Sequence, residues 1–159
     1  MSNLFVNNYT KFVRGFAYMS GIDRDDKRVK KSAEVFTPTP VVNQILGWYD
    51  HKAFSENQEF VDIACGDGQF LVEIVIKKLT MGISLKDCLQ QTYGSDIMID
   101  NVNKCRQRLA GPNPSDDIKK ILNHNIICAD ALDPKHKGWQ KVGYMWEGKK
   151  TESDFFDFS

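Results

Sequence analysis

One stretch organises the chain: Phe60-Val61-Asp62-Ile63-Ala64-Cys65-Gly66-Asp67-Gly68-Gln69-Phe70-Leu71. Its apolar start predicts a strand over 60–64, and the pattern after the second glycine predicts an amphipathic helix. Gly66 and Gly68 have no side chains, so a ligand can approach the backbone of the loop between strand and helix. This arrangement is typical of a binding loop in an α/β fold, although the same glycine spacing also occurs in loops that bind nothing.

The segments that follow repeat the same order of elements. Apolar periodicity predicts a helix over 70–79, a strand over 92–97, a helix over 98–109, a short helical turn over 118–122 and a strand over 125–128. Strands that alternate with helices in this way are typical of a parallel α/β sheet with right-handed crossovers. Each predicted strand also ends at or near a carboxylate, and the carboxyl ends of parallel strands meet at one edge of a sheet, where ligands bind.

Two motifs give the chain a resemblance to a known family. Asp-Ile-Ala-Cys-Gly-Asp-Gly, over 62–68, resembles the S-adenosylmethionine loop of class I methyltransferases. Within 64–71, Ala-Cys-Gly-x-Gly-x-Phe-Leu is similar to the version found in adenine-N6 DNA methyltransferases. Upstream, Glu-Val-Phe-Thr-Pro-Thr-Pro-Val-Val over 34–42 resembles that family's Phe/Tyr-Thr-Pro segment, which covers the methionine end of the cofactor. The two motifs have the family's order and spacing, and the resemblance covers the range 33–132; the alternative for the second is that its prolines only punctuate a loop.

The resemblance implies a Rossmann-like class I methyltransferase sheet, minimal or truncated, with S-adenosylmethionine as its cofactor. By resemblance, Asp96 takes the ribose hydroxyls, Asp130 accepts a bond from the adenine amine, and Asp62 orients the methionine ammonium. Such acids suit a cationic cofactor better than a dinucleotide pyrophosphate, although any one of them could simply solvate or cap a loop. The implied cofactor-binding residues are Phe36, Thr37, Pro38, Asp62, Ala64, Cys65, Gly66, Gly68, Phe70, Asp96, Ile97, Asp130, Ala131 and Leu132.

The catalytic segment of the family has no counterpart in this sequence. Adenine-N6 methyltransferases hold a flipped adenine with an Asp/Asn-Pro-Pro-Tyr/Phe segment, and the chain contains no Pro-Pro pair. The catalytic residues therefore stay unknown. We expect the chain alone to transfer no methyl groups to duplex DNA, while a missing segment or a partner chain could complete an active DNA adenine methyltransferase. The same sequence is also compatible with a protein that sequesters the cofactor, degrades it, or uses the fold only to contact a partner.

The C-terminal part of the chain is rich in aromatic residues. After Gly138 it carries two tryptophans, a tyrosine and three phenylalanines, and its last six residues resemble the lead-in to the family's fourth strand before the sequence stops. An unpaired edge on the first strand invites aggregation or partner binding. We expect the segment 138–159 either to complete the sheet or to pair with a second subunit, in a homo- or hetero-oligomer. On this expectation the domain is a minimal one; the alternative is a sequence cut before the catalytic segment.

The N-terminal part is predicted to be a separate region, 1–32, ahead of the cofactor-binding domain, 33–159. An aromatic stripe along a helix over 3–20 favours a core contact over a base-stacking surface; it consists of Phe5, Tyr9, Phe12, Phe16 and Met19. A charged, solvated connector follows over 22–32. The next helix is predicted to have Thr39 as its N-cap and Pro40 at its first position, with a buried stripe of Val41, Val42, Ile45, Leu46 and Tyr49.

Composition limits the function classes. The chain has 159 residues and a formal net charge of zero, so it lacks the basic excess of most proteins that bind DNA on their own. DNA contact is therefore expected only through a partner or a missing segment. No apolar run approaches the length of a membrane span and no signal-peptide pattern is present, so we expect a cytoplasmic protein without a membrane partner. The four cysteines are far apart, which favours reduced thiols over a metal site or disulfides.

Overall fold

The structure, a computed structural model, describes residues 3–16, 37–55 and 57–131. Six helices are present in this part of the chain: α1 (Asn3–Arg14), α2 (Thr39–Leu46), α3 (Gln69–Thr80), α4 (Leu85–Gln90), α5 (Ile99–Ala110) and α6 (Asp116–Asn125). Three strands accompany them: β1 (Phe60–Asp62), β2 (Thr92–Asp96) and β3 (Ile126–Cys128), with a short 3-10 turn at His51–Phe54. Phe36, Leu132, Met19, the connector 22–32 and the segment 138–159 lie outside the described residues.

The three strands form one parallel sheet in the order β1-β2-β3. Asp62 at the end of β1 lies opposite Gly94 in β2, and Asp96 at the end of β2 lies opposite Cys128 in β3. The predicted parallel α/β architecture is confirmed at this level. Because all three strands run the same way, their carboxyl ends come together at one edge of the sheet.

The main hydrophobic core lies between this sheet and the helices. Its fully buried members include Leu71, Val75, Leu89, Val102, Leu109, Leu122 and Ile126. Successive residues of a strand point to opposite faces of a sheet, and the small cluster of Tyr93, Ile127 and Ala129 is separate from the main core. A β-carbon on Gly94 would lie only 2.8 Å from Cδ1 of Leu71, so the absence of a side chain at Gly94 lets α3 approach β2 closely.

Two helices differ from the sequence prediction. The predicted turn at 118–122 is the ten-residue helix α6, which begins after Ser115, whose hydroxyl accepts a hydrogen bond from the Ile118 amide at 3.4 Å. The sequence predicts only part of this helix, because its short apolar stripe is flanked on both sides by charged residues. Helix α4 was not predicted, because six residues are too few to show a helical period; Ser84 caps it by accepting from the Asp87 amide at 3.1 Å.

Strand β1 is shorter than predicted, with three residues instead of five. The reason is the side chain of Asp62, whose Oδ1 accepts a hydrogen bond from the Ala64 amide at 3.1 Å. An aspartate that bonds two residues ahead turns the backbone out of the strand direction. The glycine loop therefore starts two residues earlier than the apolar run suggests.

The cap of α2 is displaced by one residue from the prediction. Pro38, not Thr39, is the N-cap residue, and no side chain caps the helix. The carbonyl of Pro38 accepts hydrogen bonds from the amides of Val41 and Val42 at 2.9 and 3.1 Å. Thr39 is thus already helical, with Pro40 in the first turn, where its missing amide has no cost.

The predicted buried stripe of α2 is correct only in part. Val42 and Leu46 are buried in the main core, and Ile45 is partly buried. Val41 and Tyr49 are exposed, so the prediction was wrong for both. Tyr49 lies beyond the end of the helix at Leu46, where the helical period no longer sets the direction of a side chain.

The aromatic stripe of α1 serves mainly as core, as predicted. Tyr9 is buried, and its hydroxyl donates to the Leu109 carbonyl at 2.9 Å. Phe12 and Phe16 are partly buried against the same core, whereas Phe5 is exposed. Helix α1 contacts α3 and α5, the two helices that flank the glycine loop.

Further features of the described residues bear on the classes of function. None of the helices in these ranges has both the length and the apolar character needed to cross a membrane. Within the same ranges, no group of three or more His, Cys, Asp or Glu side chains is arranged to hold a metal ion. All four cysteines are free thiols, three of them buried.

Candidate functional site

The glycine loop has a backbone that only glycine adopts easily. Gly66 and Gly68 have φ angles of 54° and 88°, in the left-handed region. The Gly68 amide donates to the Cys65 carbonyl at 2.8 Å, which closes a tight turn, and the Cys65 amide donates to the Ser95 carbonyl of β2 at 2.8 Å. A β-carbon on Gly68 would lie 2.7 Å from Sγ of Cys105, so α5 sits directly against the loop.

Asp96 fixes this loop from the end of β2. Its Oδ2 accepts a hydrogen bond from the Gly66 amide at 3.0 Å. Its Oδ1 accepts from the Met98 amide at 2.8 Å and from Nδ2 of Asn101 at 3.1 Å. A carboxylate has about four acceptor positions, so one beyond these three bonds could take a ligand hydroxyl. The sequence suggested the ligand contact but not the positioning of the loop.

Asp62 lies beside Asp96 and forms the second carboxylate of the site. Burial raises the pKa of Asp62 above its ordinary value, the hydrogen bond from the Ala64 amide opposes this, and the negative charge of Asp96 raises it further. Two neighbouring carboxylates repel each other when both are ionised. A cationic group bound between or beside them would relieve that repulsion, so the pair favours a positively charged ligand.

The end of β3 brings the third predicted acid to the same edge. The Ala129 amide donates to the carbonyl of Asp96 at 3.0 Å, and Sγ of Cys128 lies 3.5 Å from the carbonyl of Ile97. Asp130 follows directly and is exposed. The carboxyl ends of all three strands therefore each provide an acid near one edge, as the sequence predicted.

Exposed isoleucines lie next to these acids. Ile63 directly follows Asp62 and is 52% exposed, while Ile97 directly follows Asp96 and is 62% exposed. Ile99, at the start of α5, is 49% exposed. Large apolar side chains that stay exposed beside a polar site can pack against the flat, apolar faces of a ligand.

The other residues that the sequence predicted to bind the cofactor lie partly in the interior and partly at the ends of neighbouring elements. The Cys65 side chain is buried; a hydrogen bond with Cys105 and burial raise its pKa, so this thiol belongs to the interior and only its backbone faces the loop. Phe70 is partly buried against the main core. Thr37 and Pro38 lie at the start of α2, which packs on α3. Ala131 is partly buried and is the last described residue.

Sequence reasoning missed a buried charge pair under the loop. Arg108 of α5 and Asp67 are both fully buried, with Nη1 of Arg108 2.8 Å from Oδ2 of Asp67. Asp67 stands between the two glycines, where an acid is expected to be solvated. The available signal was the position of Arg108 about one helical turn after Cys105, on the apolar stripe of α5.

No family model matches the chain, and among curated proteins and solved structures none matches it either.

Proposed function

We propose that this protein binds S-adenosylmethionine, and its demethylated product S-adenosylhomocysteine, at the carboxyl ends of the three strands. The observation that carries the proposal is the joining of a glycine loop to two strand-end carboxylates. The Gly66 amide donates to Asp96, and Asp62 lies beside it with a raised pKa. Together they form a site whose backbone a ligand can approach and whose charge favours a cation.

The chemistry of the donor set fits this cofactor. Its ammonium group is cationic and suits Asp62, its ribose hydroxyls suit the remaining acceptor position of Asp96, and its adenine amine suits the exposed Asp130. Ile97 offers an apolar surface for the adenine face. A dinucleotide fits less well, because three carboxylates would repel its pyrophosphate.

The strand order also supports a Rossmann-like methyltransferase fold. The order β1-β2-β3 in a parallel sheet agrees with a class I methyltransferase sheet, in which the second strand flanks the first. When bound, the cofactor supplies an electrophilic methyl group. In the proposal, residues of this chain bind and orient it in the cytoplasm, and a partner chain or further segment supplies the contacts to a DNA adenine. The proposed assembly is therefore related to adenine-N6 DNA methyltransferases, with this chain inactive alone.

Calorimetric titration tests the proposal. We expect saturable binding of S-adenosylmethionine and S-adenosylhomocysteine with similar affinities, because both present the same ribose and adenine. Asp96→Ala should weaken binding by about 1 to 3 kcal/mol, the usual cost of losing a bond to a charged acceptor. Asp116→Ala is the matched control, because Asp116 is an exposed acid on α6 whose ion pair is with Lys119. Absence of heat and of a thermal shift at millimolar ligand would refute the proposal.

Asp62→Asn is expected to separate stability from binding. The pKa of Asp62 is raised in the folded state, so folding favours its protonated form. The stability that this form contributes is present below the unfolded pKa and is lost as pH rises through the folded pKa, where the ionised carboxylate destabilises the fold. At neutral pH the variant should melt higher, by up to about 2 to 4 °C for each 1 kcal/mol gained, and this gain should shrink in acid. Binding of S-adenosylmethionine should weaken, since its ammonium loses a carboxylate. An unchanged melting temperature across the pH series would contradict this account.

A further inference from the structure

The guanidinium of Arg108 contacts the glycine loop from the interior of the protein. Its Nη1 donates to the Asp67 carbonyl at 2.8 Å and lies 2.8 Å from the Asp67 carboxylate. Its Nη2 donates to Oε1 of Gln69 at 3.3 Å. One side chain therefore anchors the residues immediately before and after Gly68.

The direction of the Asp67 side chain leaves the loop surface free of side chains. Cys65 and Asp67 are buried, and Gly66 and Gly68 have no side chains. Of the loop residues 65–68, only Gly66 is partly exposed, and it presents backbone without a side chain. If Asp67 pointed outward, its carboxylate would stand beside Gly66, where a ligand would approach.

A buried ion pair is a poor means of gaining stability alone. Removing two charges from water costs several kilocalories per mole, and well-packed apolar residues of similar volume are often as stable or more so. The contacts that an apolar pair cannot replace here are the directional ones, from Arg108 to the Asp67 carbonyl and to Gln69. The geometry therefore favours a positional role for the pair over a purely stabilising one.

We propose that the buried Asp67–Arg108 pair is a positioning device that holds the glycine loop, residues 65–68, in its ligand-binding conformation. This inference rests on the proposed function, because the ligand is the proposed cofactor. Neither side chain contacts the ligand; both act through the loop backbone. Gly66 is held by Asp96 on one side of the loop, and Gly68 is held between the two Arg108 anchors on the other.

The test is a double variant that removes both charges but keeps the volume, Asp67→Leu with Arg108→Met. It should fold and melt much closer to the wild-type temperature than Arg108→Met alone, because no buried charge is left without its partner. The remaining loss comes from the Asp67 carbonyl and Gln69, which lose their donor. It should bind S-adenosylhomocysteine at least about tenfold more weakly, since the two side chains that position the loop have been replaced. Hydrogen exchange of the Gly66 and Gly68 amides, measured without ligand, should become faster by a similar factor.

Arg106→Met is the matched control. Arg106 is also buried on α5, but its Nε donates to the Ile126 carbonyl at 2.9 Å and its Nη2 to the Asn123 carbonyl at 3.3 Å, away from the loop. The control should melt at a lower temperature yet keep its affinity within about twofold, because distant sites act independently.

The outcomes separate the inference from the proposed function. A stable double variant with wild-type affinity and wild-type exchange at Gly66 and Gly68 would overturn the positioning role. If the wild-type protein binds no S-adenosylhomocysteine, the proposed function fails, and the exchange rates of the ligand-free proteins still decide whether the pair holds the loop. A double variant that does not fold would also overturn it, because the apolar pair would then have failed to replace a stabilising contact.

Discussion

Gly68→Ala is expected to lower the free energy of unfolding by about 2 to 5 kcal/mol and to abolish measurable binding of S-adenosylhomocysteine. Gly68 has a φ of 88°, which costs a residue with a β-carbon about 1 to 2 kcal/mol. The new methyl group would also lie 2.7 Å from Sγ of Cys105, and overpacking of this kind costs roughly 1 to 3 kcal/mol. Urea denaturation and calorimetry measure the two effects.

Gly82→Ala is the control that separates strain from overpacking. Gly82 has nearly the same φ, 90°, but a β-carbon there would meet nothing within 4 Å. Its substitution should lower the free energy of unfolding only through the strain of a positive φ, by about 1 to 2 kcal/mol. It should leave ligand affinity unchanged. Equal losses of stability at the two glycines would show that α5 does not press against the loop as described.

Arg108→Met alone is expected to lower the free energy of unfolding by about 3 to 5 kcal/mol, because the Asp67 carboxylate would stay buried without its cation. Both side chains are 0% exposed, so water cannot replace the lost partner without local opening of the structure. Urea unfolding of the single variant gives the cost directly.

Two comparisons make this result specific to the pair. Arg106→Met removes hydrogen bonds to the neutral carbonyls of Ile126 and Asn123, so its cost should be smaller, about 1 to 3 kcal/mol. Adding Asp67→Leu to Arg108→Met should recover most of the lost stability. If Arg108→Met lowers the free energy of unfolding no more than Arg106→Met does, the ion pair with Asp67 contributes no more to stability than ordinary hydrogen bonds do.

Much of the fold follows from local sequence features. The apolar run before Gly66, the second strand ending at Asp96 and the helices that alternate with them predicted the parallel sheet and its strand ends. These features can be read from the sequence because the apolar residues of the helices recur at the helical period, and because turns with positive φ need glycine. The edge at which the three acids meet follows from the same topology.

The contacts that hold the site together were not predictable in the same way. Arg106 and Arg108 lie next to Cys105 and Leu109 of the apolar stripe of α5, but a charged side chain at such a position ordinarily reaches solvent, whereas both are buried. Their burial depends on carbonyls and a carboxylate that are distant in sequence. Asp96 likewise appeared only as a ligand contact, because its bond to the Gly66 amide spans 30 residues.

Titration of the isotopically labelled protein with S-adenosylhomocysteine, followed by amide NMR spectra, tests the central claim most directly. The account predicts saturable shifts of the Gly66 and Ile97 amides, because these lie at the edge where the strand-end acids meet, and of the Gly68 amide, which is buried in the same loop. Amides at the opposite end of the sheet, such as that of Phe60, should stay unchanged. Spectra that do not change at millimolar ligand, or shifts that avoid the glycine loop, would contradict the account.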